Sequence, residues 1–125
     1  IEFEVDISDK LKLKILPAYL QSILHNLITN AMKYGITEEQ RKIKICAKKE
    51  SKSVVLTVAD RGRGIDLKRY GNKMFQLGSR FHADEESGHG MGLYMTKQQV
   101  EAIDGRIEVE SEVGKGTSFK VFFNA

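Results

Sequence analysis

The sequence of 125 residues predicts an α+β fold, a two-layer sandwich in which one mixed, largely antiparallel sheet carries its helices on one face. Three observations predict it. A long segment repeats apolar residues with helical period, several short segments alternate with period two, and glycine-rich connections separate them. The order reads strand, helix, two strands, glycine loop, lid, helix, hairpin.

Taken in order, residues 1–6 (IEFEVD) set Ile1, Phe3 and Val5 against acids and read as a half-buried strand. Pro17 suits the first turn of a helix, where its missing N–H costs nothing. Leu20, Ile23, Leu24, Leu27, Ile28, Ala31 and Met32 then recur as one apolar helical face, with Gly35 placed to cap the C-terminus. Residues 42–49 (KIKICAKK) alternate again, and 53–59 (SVVLTVA) are a near-continuous β-branched run, as a central strand requires. Lys42, Lys44, Lys48, Lys49 and Lys52 read as a solvated strand edge that discourages edge pairing. Asp66 is a candidate N-cap for a short helix within 66–75. Residues 77–92 have no apolar period, and a loop of that length in a small domain is a functional or mobile lid. Residues 91–103 read as a second amphipathic helix ended by Asp104-Gly105, and 106–111 with 117–123 as a hairpin joined by Gly114-Lys115-Gly116.

Composition bounds the function. Apolar residues make up 41% and charged residues 30%, which suits one folded domain spanning 1–125. No stretch reaches the roughly 18 consecutive apolar residues of a membrane span. A net charge of +3, dispersed along the chain, gives no argument for nucleic acid. The single Cys46 excludes an intrachain disulfide and reads as structural. The first residue is not Met, which reads as a piece of a longer protein.

Four constellations could carry chemistry. Asn26, Asn30 and Lys33 fall at i, i+4 and i+7, a stripe about 10 Å long opposite the Leu/Ile face. Carboxamide oxygens suit a hard cation and an ammonium suits phosphate, although a solvated helix face is the plain alternative. Asp60-Arg61-Gly62-Arg63-Gly64-Ile65 follows the β-branched run. A carboxylate there can accept from an exocyclic amine while glycines admit a flat base, or the segment is only a turn. Gly88-His89-Gly90-Met91-Gly92-Leu93 leads into a helix, so backbone N–H groups and the helix N-terminus could meet an anion; a lid hinge is the alternative. Its spacing is neither a Rossmann fingerprint nor a P-loop. Gly114-x-Gly116-Thr117 is, by itself, a hairpin turn.

Together, in this order, the four resemble the ATP-binding catalytic domain of sensor histidine kinases, in the GHKL group with DNA gyrase, Hsp90 and MutL. The likeness runs from about Ile1 to Phe123: residues 23–34 look like the N box, 60–65 the G1 box, 88–93 the G2 box and 114–119 the final GxGTxF. The resemblance implies a Bergerat fold that holds ATP and Mg²⁺. It implies Asn30 as the Mg²⁺ ligand, Asn26 and Lys33 on phosphate, Tyr34 against the adenine, and Asp60 accepting the adenine amine with Thr117 through water. Gly62, Gly64, Ile65, Met91 and Leu93 would complete the nucleotide pocket, and Gly88, Gly90 and Gly92 would cradle phosphates. Arg80 would reach the γ-phosphate. Residues 75–81 resemble the F box, with Gly78 where many members place a second aromatic.

Hydrolytic relatives and anti-sigma serine kinases place a Glu one turn before the Mg²⁺-binding Asn. Here that position is Asn26, and an amide cannot take a proton near neutral pH. The resemblance therefore implies γ-phosphoryl transfer to a histidine on a separate dimerisation and phosphoacceptor domain of the same parent protein, then relay to a response regulator. It implies a cytoplasmic location, a homodimeric parent and a monomeric isolated domain, with a membrane anchor in the parent left open. His25 lies between motif positions and does not read as the acceptor. His82 and His89, with Asp84, Glu85 and Glu86 between them, fit no tight zinc spacing and read as solvated lid. The alternatives are a non-catalytic ATP-sensing module, an anti-sigma-factor serine kinase, and a small interaction domain whose glycines are only turns.

Overall fold

The computed structural model describes residues 1–71, 74–76 and 91–124. Its strands are β1 (Glu2–Ile7), β2 (Lys42–Glu50), β3 (Ser53–Asp60), β4 (Arg106–Glu112) and β5 (Gly116–Asn124). Its helices are α1 (Pro17–Tyr34), α2 (Leu67–Tyr70) and α3 (Met91–Ala102). The strands form one sheet in the order β1-β2-β3-β5-β4, with β1 parallel to β2 and the other three pairings antiparallel. The mixed sheet, the central place of β3 and the terminal hairpin all match the sequence reading.

Period-two alternation explains the layer. Val54, Leu56 and Val58 of β3, Phe119, Val121 and Phe123 of β5, and Ile43 and Ile45 of β2 share one face and are buried. Against them α1 buries Ile23, Leu27 and Ala31, and α3 buries Leu93 and Val100. Each fully buried aliphatic side chain contributes about 1.5–3 kcal/mol relative to exposure. Met32, read as part of the apolar face of α1, is 42% exposed because it lies at the rim of that stripe. The helix at 66–75 is shorter than its candidate span: α2 covers four residues, with the Asp66 carboxylate accepting from Lys68 N at 3.2 Å.

Two expectations fail at the sheet margin. β1 is exposed along its length rather than half-buried, because α1 packs over β2 and β3 and leaves β1 outside its cover. The lysines of β2 do not mark an edge. β2 lies between β1 and β3, and Lys42 and Lys48 reach Glu2 and Asp6 of β1, each at 3.9 Å. These exposed pairs set register more than stability.

Candidate functional site

Asp60 closes the buried stripe Val54–Val58, so the same alternation that builds the core brings its carboxylate to the helix side at the end of β3. Thr117 is its register partner on β5 and is 8% exposed. The carboxylate accepts from Gly62 N at 2.9 Å and from the Thr117 backbone N–H. Burial raises the Asp60 pKa above the ordinary carboxylate value, and the two backbone donors offset only part of that rise.

Gly35 caps α1, donating its N–H to Ala31 O at 2.8 Å, but at φ −98° it does not need glycine for a left-handed cap. It needs glycine for space. A Cβ on Gly35 would overlap the Asp60 carboxylate, and one on Gly62 would overlap the Gly35 carbonyl. The helix end, the strand end and the loop after β3 therefore meet around a single acid. Gly64 and Gly116 adopt φ +73° and +100°, a region that disfavours side chains, and Cβ atoms there would overlap Glu112 and Asp60 backbone.

Ser111 was not singled out by the sequence, yet it organises this end of the sheet. Its Oγ accepts from Ile65 N at 2.7 Å, donates to Gly116 O at 2.8 Å and lies 2.8 Å from Thr117 Oγ1. With the serine proton on Gly116, the Thr117 hydroxyl donates to Ser111 and keeps its lone pairs for a ligand or water. A contact spanning 46 residues leaves no trace in one sequence beyond a hydroxyl at a strand end. Ser111→Ala should cost about 1–3 kcal/mol in a denaturant titration, because it strips the Ile65 N–H and Thr117 of a partner.

The polar stripe of α1 runs away from Asp60. Tyr34, half-buried against the core, is next to Gly35; Lys33 is exposed; Asn30 and Asn26 are half-buried one and two turns back. Neither carboxamide has a hydrogen-bond partner among the described residues. Gly92, in the first turn of α3, faces Asn26: a Cβ there would sit 4.0 Å from the Asn26 side chain, in ordinary contact. Asn26 to Gly35 spans about 13 Å at 1.5 Å per residue. An acid that accepts from donors thus stands at one end, with Lys33 two residues before the glycine that meets it, and the amides and the positive end of a helix lie towards the other.

Ile65 and Leu93 are each 3% exposed within the core, and Ile65 N is already used by Ser111. Met91 opens α3. Arg80, Gly88, Gly90, the F-box position Gly78 and the His82–His89 segment lie outside the described residues. Among the described residues no three His, Cys, Asp or Glu side chains gather as a metal site. Nor is any described helix long and apolar enough to cross a membrane.

The family of histidine kinase-, DNA gyrase B-, and HSP90-like ATPases matches residues 16–125, and the chain belongs to it. Cyanobacterial phytochrome A of Nostoc sp. is 39% identical over 101 residues, 80% of this chain and 13% of that protein. The signal transduction histidine-protein kinase ArlS of Staphylococcus aureus is 27% identical over 126 residues, covering 98% of this chain and 27% of its own. Among solved structures, full-length ShkA in complex with AMPPNP superposes with a TM-score of 0.79 at 26% identity, over 99% of this chain and 26% of that one. The chain thus spans only about a quarter or less of these relatives. The fold is the GHKL sandwich that the motifs predicted.

Proposed function

We propose that this domain binds Mg-ATP and presents the γ-phosphoryl group to a histidine on a separate dimerisation and phosphoacceptor domain of its parent protein. A response regulator would receive the group next. The observation that carries the reading is the polarity of the α1 face, with the Asp60–Gly35–Thr117 end suited to a purine and the Asn26–Asn30–Gly92 end suited to phosphates. Family membership, the kinase name of ArlS and the AMPPNP held by ShkA support it.

In this reading Asp60 accepts the adenine amine, Thr117 holds a water beside it, and Tyr34 lies along the base. Gly62 and Gly64 keep the approach clear. Asn26, Lys33 and Gly92 meet the phosphates, joined by Gly88, Gly90 and Arg80. The half-buried carboxamides, without a hydrogen-bond partner among the described residues, fit a hard cation, with Asn30 as its ligand. Mg²⁺, when bound, would neutralise charge on the triphosphate. The chain itself positions: it fixes the base, aligns the phosphates and, with an amide at Asn26, supplies no general base there for water. This disfavours a hydrolytic ATPase and an anti-sigma serine kinase. The site would face the cytoplasm in a homodimeric parent.

The test is incubation of the domain with γ-labelled ATP, Mg²⁺ and the parent's phosphoacceptor domain. Alkali-stable, acid-labile label on that domain's histidine is expected; ATP binding without any label on the histidine would leave only a nucleotide-sensing module.

Asp60 gives a pH signature. Its folded pKa lies above the ordinary carboxylate value of the unfolded chain, so the folded state holds this proton more tightly. Its contribution to stability is therefore fully present below the unfolded value and lost as pH rises through the raised folded one. Nucleotide binding should run the other way, since an amine donor favours the ionised acid. Across that window, ATP affinity should rise with pH while ligand-free stability falls relative to Asp60→Asn, as read by calorimetry and thermal unfolding.

A further inference from the structure

We propose that the open edge of β1 is a docking site for an extended polypeptide segment in which Lys or Arg alternates with aliphatic residues, added as a sixth strand. Three features define the occupant. Glu2 N donates to Arg41 O at 2.7 Å, so Glu2, Glu4 and Asp6 turn their backbone groups towards β2. By alternation, Phe3, Val5 and Ile7 turn theirs, both N–H and C=O, to the open side. The edge is undefended by proline or a bulge.

Side chains supply the specificity. Glu2, Glu4 and Asp6 form an acidic stripe on the outer face, and the strand already paired with them is basic: Lys42 is opposite Glu2, Lys44 is opposite Glu4, and Lys48 reaches Asp6. On the helix side Phe3, Val5 and Ile7 are 46%, 60% and 44% exposed. There, Val5, Ile7, Leu11, Leu13, Leu24 and Phe123 help line an apolar groove of about 370 Å³. A strand with basic residues outward and aliphatic residues inward would satisfy both faces at once.

The chain's own candidate cannot take this place. Residues 10–15 (KLKLKI) have the right alternation and follow β1 directly. The turn closed by Leu11 N and Ser8 O at 3.1 Å would set Lys12 opposite Ile7 and Leu13 opposite Asp6, which puts every side chain on the wrong face. Instead Leu11, Leu13 and Ile15 pack on the core while Lys12 and Lys14 face solvent. A second copy's β1 would set acids against acids, so self-pairing is disfavoured as well.

The probe is a fluorescein-labelled peptide copying residues 42–48 with serine for Cys46 (KIKISAK), compared with EIEISAE by anisotropy against the whole 125-residue chain. Saturable binding of the basic peptide alone is expected, weakening as salt is raised. Val5→Pro removes an outward N–H and leaves the β1–β2 ladder intact, so it should weaken binding at least about tenfold with circular dichroism and ATP binding unchanged. Glu4→Lys should reverse the preference between the peptides. Equal binding of both peptides, no binding at millimolar concentration, or indifference to both substitutions would overturn the proposal. So would concentration-dependent self-association abolished by Val5→Pro, which would assign the edge to a second copy.

Discussion

Asp60→Asn is expected to weaken ATP binding by about 10- to 100-fold while leaving the affinity for inorganic triphosphate unchanged, the scale of one buried hydrogen bond to a charged group. The reason is donor and acceptor arithmetic. The carboxylate is acceptor-only and already takes the N–H groups of Gly62 and Thr117. It still has lone pairs for an incoming amine. An asparagine has one acceptor oxygen, so its NH₂ must oppose either a backbone N–H or the adenine amine. Thermal unfolding separates loss of fold from loss of readout. Equal weakening of ATP and triphosphate would remove Asp60 from base recognition.

Asn30→Ala is expected to reduce phosphorylation of an added phosphoacceptor domain by at least about 100-fold, as loss of a ligand to a cation that neutralises the phosphates would. The fold should hardly notice. The Asn30 side chain is half-buried with no hydrogen-bond partner among the described residues, so its removal orphans nothing, and the stability change should stay within about 0.5 kcal/mol. Large catalytic loss at constant stability is the signature of a ligand-facing residue. Full transfer by the alanine variant would take Asn30 out of the metal role.

What the sequence made legible is what periodicity encodes. The apolar face of α1, the central place of β3 and the β4–β5 hairpin follow from spacing of 3.6 or 2, and so does the arrival of Asp60 at the end of a buried stripe. Lateral order is different. Whether KIKICAKK lies at an edge depends on what pairs beside it, and its neighbour is β1, which returns through α1 to pair in parallel. The acids of β1 that answer those lysines are forty residues away, so an outer face read as solvent defence became an internal charge match. β1 carries an amphipathic pattern without a cover, and pattern alone does not report whether a helix reaches it.

At the site the same division holds. Asp60, Thr117, Asn26 and Asn30 were visible as motif positions. The reason Gly35 is glycine was not, because its neighbour is a carboxylate 25 positions later in the chain. The sequence assigned it to helix termination, a role any residue at φ −98° could fill. Ser111 likewise acts through Ile65 and Thr117, contacts that exist only once the sheet has closed.

The measurement that bears most directly on the account is isothermal calorimetry of the folded chain with ATP and with GTP in millimolar Mg²⁺. An acceptor-only group at the base-reading end should admit the purine that offers an amine at its six-position and reject the one that offers a carbonyl. Saturable binding of ATP, with GTP at least about tenfold weaker, is predicted. Absence of ATP binding, or equal heats and affinities for the two nucleotides, would contradict it.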